Sequence, residues 1–280
     1  MNHIKLTGIV HVKRRSSPFA ARRLLVALCL CAGVVLSGCR AEPEAPARRG
    51  KVRVAAAADL NAAFPDLIMR FGASHDVDVS VSYGSSGNFY AQLINEAPFD
   101  MFLSADVSYP NQLAARGLTL PQSEFTYAIG RIVVWAPASS TLDVEHEGLQ
   151  VLTQASIKHV AIANPEHAPY GRAARQLLMH AGLWGRIESR LVLGENVSQA
   201  AQFVASGAAQ AGIIAYSLTR APALAERGTA VVLPAATHEP LLQKMVLLKG
   251  AGATARAFRD FLDAPTARAL FERYGFQQSP

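Results

Sequence analysis

Residues 51–280 repeat one order of hydrophobic and polar positions, in which a short apolar run is followed by a turn and then by a stretch of helical periodicity. The first run, residues 51–58, alternates at its start and ends in four alanines, which predicts a buried strand. Asp59 follows at a position that suits an N-cap, and apolar residues then recur every three or four positions up to Gly72. This unit therefore predicts a strand followed by a capped helix.

The same order predicts further elements along the chain. The other predicted strands are residues 77–83, 101–103, 126–136, 160–163, 190–193, 211–215, 230–233 and 244–249. The other predicted helices are residues 88–96, 172–181, 197–206, 253–262 and 265–274. Because strands and helices alternate, the chain is expected to have an α/β fold built on parallel sheets.

Two similar halves, joined by long extended segments, predict two lobes with a ligand cleft between them. The chain would cross between the lobes near residues 127–136 and return near residues 238–248. The first lobe would therefore be discontinuous. The predicted division gives residues 51–130 and 238–280 to lobe I, and residues 131–237 to lobe II.

Composition agrees with a folded body of this size and locates the charge of the chain. The 280 residues are 50% hydrophobic and 17% charged, which excludes a disordered or collagen-like chain. The formal net charge is +6, but residues 1–50 hold nine Lys and Arg against two acidic residues. Residues 51–280 therefore carry 18 bases and 19 acids, and no nucleic-acid partner is expected of this balanced body.

The first fifty residues read as a targeting segment. Arg22 and Arg23 precede an apolar run, residues 24–36, that is too short to span a bilayer comfortably. The run ends in Leu-Ser-Gly-Cys39, which resembles the lipobox of bacterial lipoproteins. This resemblance implies that residues 1–39 are a signal peptide ending at the lipobox, that Cys39 is lipidated, and that the protein is extracytoplasmic and anchored to a membrane. Residues 40–50, rich in Pro, Ala and charge, would form a flexible tether.

Four turns of small and hydroxyl-bearing residues each follow a predicted strand and open a helix. They are Ala58-Asp59, residues 84–87, residues 168–171 and residues 195–197. Such turns lie at the carboxyl ends of strands, where α/β sheets bind ligands, and helix N-termini there present free N–H groups. Brought together, they would hold an oxyanion by uncharged donors, with hydroxyls from Ser86 and Tyr170.

At these turns the sequence resembles the molybdate-binding proteins of ABC importers, which are type II periplasmic solute receptors. The resemblance runs in order over residues 51–280 and lies in AAAADLNAAF (55–64), YGSSGNFYAQL (83–93), APFDMFLSAD (97–106), FTYAIGRIVVWA (125–136), IANPEHAPYG (162–171), ENVSQAAQFVASG (195–207) and RYGF (273–276). It implies the two-lobed type II fold with molybdate or tungstate bound in the interlobe cleft, no cofactor, no metal ion held by the protein, and delivery to an ABC permease and its ATPase. A monomer is expected.

The resemblance also implies the residues that contact the anion. Ser86 and Tyr170 match hydroxyl donors of the family, and Val197 matches a residue that gives its backbone N–H. Asp59 stands where the family has Ser or Asn. A carboxylate beside a dianion repels it, so Asp59 is expected to turn its side chain away and cap its helix, leaving only its N–H for the ligand. If instead it accepts a hydrogen bond from a protonated anion, a phosphate-like ligand is favoured.

Two alternatives stay open at this point. One is a receptor for another oxyanion, such as phosphate or sulfate. The other is a surface enzyme or sensor that reuses the fold, for which Asp59 is the one obvious titrating group. An enzyme has little support, because residues 51–280 contain no Cys, their six His lack metal-ligand spacing, and no Gly-x-Ser-x-Gly elbow occurs.

Overall fold

The computed structural model describes residues 49–278, which belong to one compact unit, Arg48–Pro280. The predicted signal peptide, its Cys39 and most of the tether lie outside the described residues. The strands in this part of the chain are β1 (Gly50–Ala57), β2 (Val77–Gly84), β3 (Met101–Ser104), β4 (Phe125–Gly130), β5 (Ile132–Pro137), β6 (Val160–Ala163), β7 (Leu191–Gly194), β8 (Ala211–Ala215), β9 (Gly228–Val232) and β10 (Leu241–Leu247).

Eleven α-helices connect and cover these strands over the described residues. They are α1 (Phe64–Gly72), α2 (Ser86–Leu93), α3 (Ser108–Ala115), α4 (Val144–Glu147), α5 (Pro169–His180), α6 (Trp184–Ile187), α7 (Val197–Ala205), α8 (Tyr216–Thr219), α9 (Pro222–Ala225), α10 (Ala253–Asp263) and α11 (Pro265–Arg273). Short 3₁₀ turns lie at Ala58–Asn61, Gly148–Thr153, Glu188–Arg190 and Ala235–Thr237.

The first sheet has the strand order β2-β1-β3-β10-β4. In it β1 runs parallel to β2 and β3, while β10 runs antiparallel to β3 and β4. The register pairs Ala57 with Gly84, so the carboxyl ends of β1 and β2 lie side by side at one edge. A core formed by Phe64, Phe71, Phe258 and other apolar side chains packs α1, α10 and α11 on this sheet, and Phe89 and Leu113 bring in α2 and α3.

The second sheet has the order β7-β6-β8-β5-β9 and is covered by α4 to α9. Here β6 runs parallel to β7 and β8, and β5 runs antiparallel to β8 and β9. Strands β3, β6 and β8 are buried along their whole length, which explains their continuous apolar sequence. Ala163 pairs with Gly194, so the carboxyl ends of β6 and β7 also meet at one edge.

The α/β fold with two lobes, one sheet in each, is thus confirmed, but the sheets are mixed and not purely parallel. The chain leaves the first sheet after β4 and enters the second at once as β5, with only Arg131 between the two strands. It returns between Val232 and Leu241, and β10 then re-enters the first sheet. Parallel neighbours need a crossover connection, usually a helix, whereas β5 and β10 each arrive from the other lobe. Each of these two strands is therefore antiparallel to the strands beside it.

The structure corrects two expectations for local structure and adds a helix that was not predicted. Asp59 does not cap a helix, because it lies inside the 3₁₀ turn and the α-helix begins later, at Phe64. The single extended segment expected over residues 126–136 is two strands that belong to different sheets. Helix α3 was not predicted, since Pro110 in its first turn and polar neighbours weaken the apolar periodicity. None of the helices within residues 49–278 has the length and apolar character needed to cross a membrane.

Candidate functional site

The four turns expected to bind an anion come together around one small cavity, about 10 Å³ in volume, between the two sheets. This volume has room for about one water-sized sphere and lies far below the roughly 300–1,000 Å³ of pockets that take drug-sized molecules. The lining residues are Ala57, Ala58, Asp59, Gly84, Ser85, Ser86, Ala105, Ala168, Pro169, Tyr170, Asn196 and Val197. All four residues expected to contact the anion, Asp59, Ser86, Tyr170 and Val197, are therefore at this cavity.

Three of the turns place the N-terminus of a helix at the cavity, and each helix starts there for a local reason. The Ser85 side chain accepts from the Asn88 N–H at 3.2 Å and caps α2. The Asn196 side chain accepts from the N–H groups of Ser198 and Gln199 and caps α7. Pro169 occupies the first turn of α5, where its missing N–H costs nothing. The first N–H groups of these helices and their dipoles thus make the cavity attractive to an anion.

Val197 sits in the first turn of α7 as the sequence predicted, whereas Ser86, expected in the loop before a helix starting at residue 88, is itself the first residue of α2. Ser86 is fully buried, and its Oγ accepts from the Ala105 N–H at 2.9 Å. That bond fixes the oxygen and leaves the hydroxyl hydrogen for another acceptor. Val197 is the first residue of α7, so its N–H has no acceptor within the helix.

Asp59 and Tyr170 are bonded to each other, which the sequence did not predict. The Tyr170 hydroxyl, from lobe II, donates to Asp59 Oδ2 of lobe I at 2.9 Å. The Ser217 hydroxyl, also from lobe II, donates to the Asp59 backbone carbonyl at 2.7 Å. The Asp59 carboxyl is thus fully buried, as expected of a side chain turned away from solvent. It bonds to a tyrosine hydroxyl of the other lobe, however, and does not cap its own helix.

Gln243 is the residue of this site that sequence reasoning missed. Its Nε2 donates to Asp59 Oδ2 and, at 3.1 Å, to the Tyr170 hydroxyl oxygen. Its Oε1 accepts from the Tyr127 hydroxyl at 2.8 Å. Gln243 is fully buried in β10. The available signal was weak, because Gln243 stands beside Lys244 in the sequence, and the predicted strand began one position after it, at Lys244.

The electrostatics of the cavity are set by one acid without a cationic partner. Burial raises the pKa of Asp59 to about 6, against the opposing effect of the hydrogen bonds from Gln243 and Tyr170. Burial, reinforced by the neighbouring Asp59 charge, also raises the pKa of Tyr170 and Tyr127 well above the ordinary tyrosine value, so both hydroxyls stay protonated. Asp59 is the only acidic or basic side chain in the cavity lining.

The lobes are in contact around the cavity through direct polar bonds. The His167 carbonyl accepts from the Gly87 N–H at 3.0 Å, and His167 Nδ1 lies 2.9 Å from Ser85 Oγ. A Cβ on Gly87 would lie 2.5 Å from that carbonyl oxygen, so only glycine permits this approach. Arg172 of α5 pairs with Asp106 across the rim. Both lobes therefore contribute to the wall of the cavity and are joined by polar bonds beside it.

Metal binding by clustered side chains finds no support over residues 49–278, where no group of three or more His, Cys, Asp or Glu could hold a cation. Asp59, Ser86, Tyr170 and Val197 line this cavity together, and their role as contacts to an anion stays a prediction. The chemistry of the cavity is that of neutral donors around one protonatable carboxyl.

Comparison with known proteins gives the family and several similar relatives. Residues 52–277 match the family model described as bacterial extracellular solute-binding protein. The chain is 35% identical over 261 residues to the molybdate-binding protein ModA of Rhodobacter capsulatus, which covers 92% of this chain and 97% of the relative. It is 37% identical over 260 residues to ModA of Azotobacter vinelandii, covering 92% and 98%. The solved periplasmic molybdate-binding protein of Azotobacter vinelandii superposes with a TM-score of 0.75 at 34% identity, covering 82% of this chain and all of that one.

Proposed function

Because this chain belongs to the family of bacterial extracellular solute-binding proteins, we propose that it is the molybdate receptor of an ABC importer and also binds tungstate. Its relatives are named as binding proteins, and the chain is a solute receptor and not an enzyme. One observation carries the ligand class: a small cavity between the two lobes is surrounded by helix N-termini and hydroxyls, and the described residues that line it include no Lys or Arg. Such donors suit a small tetrahedral oxyanion with acceptor-only oxygens.

A second oxyanion is favoured by one feature of the cavity, the Asp59 carboxyl. An ionised carboxylate repels a dianion but accepts a hydrogen bond from a protonated one, as phosphate near neutral pH can be. A phosphate receptor is therefore the alternative to test first. Sulfate gains nothing from Asp59, because it has no proton to donate.

Calorimetric titration of residues 39–280 with molybdate, tungstate, sulfate and phosphate near pH 7 tests these assignments. Saturable one-to-one binding of molybdate and tungstate, with little heat from the other two, is expected. Binding of phosphate alone would replace the molybdate assignment. If none of the four anions gives a heat of binding, and a cooperative unfolding transition shows that the protein is folded, the assignment as an oxyanion receptor is contradicted.

Lipidation of Cys39 would hold the receptor beside its permease, on a tether of residues 40–50. The protein then acts as an extracytoplasmic, membrane-anchored monomer that passes its anion to the permease and ATPase. Cys39→Ala is expected to release the protein from the membrane fraction. Cys31→Ala, in the same leader, is the matched control and should leave it membrane-bound.

A further inference from the structure

The Tyr170 hydroxyl has one hydrogen, and in this structure that hydrogen is held by Asp59. It donates to Asp59 Oδ2 at 2.9 Å, while its oxygen accepts from Gln243 Nε2 at 3.1 Å. An ionised carboxylate only accepts hydrogen bonds, so it cannot release this hydrogen and keep the contact. An oxyanion in the adjoining cavity has only acceptors as well. The carboxylate and the anion therefore compete for a single hydrogen.

A proton on Asp59 removes this competition, and the Asp59 and Tyr170 side chains stay in contact. The protonated carboxyl donates to the Tyr170 oxygen, and the Tyr170 hydrogen turns to the anion. We propose, on the premise that the protein is an oxyanion receptor, that Asp59 takes up one proton from solvent when the anion binds and that Tyr170 relays this change to the anion. The Tyr170 hydroxyl then accepts hydrogen bonds from Asp59 and Gln243 and donates one to the ligand. The one hydrogen and both lone pairs of this hydroxyl are thus used.

The surroundings of Asp59 favour a neutral carboxyl in the loaded cavity. Asp59 Oδ1 is buried, and no donor among the described residues forms a hydrogen bond of normal geometry with it, although the backbone N–H groups of Asp59 and Leu60 also lower the pKa of this carboxyl. A charge on this carboxyl is therefore poorly solvated. Among the described residues, the titratable groups hydrogen-bonded to this carboxyl or one step away are the protonated Tyr170 on α5 and, across the Gln243 amide, the protonated Tyr127 on β4. Strand β10 contributes the uncharged Gln243, and α7 and α8 present the hydroxyls of Ser198 and Ser217.

The size of the effect follows from the carboxyl in the unliganded protein, whose pKa burial raises to about 6. At pH 7.5 this group is almost fully ionised, so binding takes up close to one proton; at pH 6 it takes up about half a proton. The dissociation constant is expected to rise with pH above 7, towards the limit of about tenfold per pH unit for one linked proton.

The experiment is calorimetry of residues 39–280 with molybdate, in pairs of buffers of different ionisation enthalpy, from pH 6 to 8.5. The slope of the observed enthalpy against buffer enthalpy counts the protons taken up. We expect a slope near one proton at pH 7.5. Saturable binding without any buffer dependence would overturn this inference and leave the receptor function intact, whereas absence of binding would contradict the receptor function itself.

Three variants separate the relay from other sources of protons. Asp59→Asn, whose amide donates to Tyr170 at every pH, is expected to bind without proton uptake and with a nearly pH-independent affinity. Uptake that persists in this variant would mean that the anion carries the proton. Tyr170→Phe should bind more weakly and take up less than half a proton at pH 7.5. Unchanged proton uptake would mean that charge repulsion between Asp59 and the anion alone drives it, and this would refute the relay through Tyr170. Asp78→Asn, an exposed carboxyl on β2, should behave as the unmodified protein does.

Discussion

Replacing Asp59 by Asn is expected to make the protein more stable near neutral pH. The carboxyl is fully buried, and burial raises its pKa from the ordinary 3.8 to about 6. A carboxyl whose pKa is raised by folding binds its proton more tightly in the folded than in the unfolded chain. The free energy of unfolding therefore falls as the pH rises from about 4 to 6, and stays low above that range.

The magnitude follows from the two pKa values. Their difference is about two units, and one unit corresponds to 1.36 kcal/mol, so ionised Asp59 destabilises the fold by about 3 kcal/mol at pH 7. Asparagine removes this penalty. Without an anion, Tyr170 and Gln243 donate to its amide oxygen, so its NH₂ group takes the place of Oδ1, which has no partner among the described residues, at a cost of about 1 kcal/mol. The variant should gain roughly 2 kcal/mol at pH 7 and lose about 0.5 kcal/mol at pH 4.

Urea unfolding of both proteins between pH 4 and 8, in the absence of oxyanions, measures this difference. The two stability curves should cross at about pH 4.5. Asp78→Asn, at an exposed position, should follow the unmodified protein within about 0.5 kcal/mol at every pH. A pH-independent difference for Asp59→Asn, or lower stability at pH 7, would refute the assignment of a buried, poorly solvated charge to this carboxyl.

Three further substitutions test the cavity and the closure around it. Ser86→Ala removes a fixed hydroxyl donor and should weaken molybdate binding by about ten- to a hundredfold in calorimetry, since a hydrogen bond to a charged group contributes about 1.5–3 kcal/mol. Arg172→Gln breaks the ion pair with Asp106 between the lobes, and should weaken binding a few fold and leave the unliganded protein more extended in small-angle scattering. Gly130→Ala places a Cβ 2.3 Å from the Tyr170 hydroxyl oxygen, and should lower the free energy of unfolding by about 1–3 kcal/mol in urea.

Each of these substitutions has a matched control elsewhere in the chain. Ser206→Ala removes an exposed hydroxyl at the end of α7 and should not change the affinity. Arg175→Gln breaks an exposed ion pair with Glu166 inside lobe II and should leave closure unaffected. Gly185→Ala adds a Cβ with no atom within 4 Å and should be neutral or slightly stabilising. If any control matches its partner, the effect does not come from the cavity.

The strand-and-turn pattern of the sequence was sufficient to place the binding cavity. Ser86 and Val197 could be placed because each follows a strand and opens a helix, and the carboxyl ends of neighbouring parallel strands meet at one edge of a sheet. Local sequence determines these positions. Parallel pairing of β1 with β2 and of β6 with β7 then brings the turns together.

The polar network behind the cavity could not be predicted in the same way. Gln243 lies 184 positions from Asp59 in sequence and reaches it because β10 crosses back into the first sheet and runs antiparallel there. The local periodicity of the sequence predicts neither this crossing nor the antiparallel direction of β10. The capping role expected of Asp59 failed for a related reason, since helix-cap preference acts between neighbours and was outweighed by donors from α5 and β10.

These distant donors explain how a carboxyl can stand at an anion site. Gln243 and Tyr170 both donate to Asp59 Oδ2, which keeps the unliganded carboxyl tolerable when ionised although it is fully buried. With the carboxyl neutralised by a proton, the cavity meets a dianion without a like charge, and its affinity then rests on the helix N-termini and hydroxyls. Anions of equal charge, such as molybdate and sulfate, are affected equally by that proton. Discrimination between them must therefore come from the size of the closed cavity and the placement of Ser86 and Val197, while Asp59 determines the pH range in which either is bound.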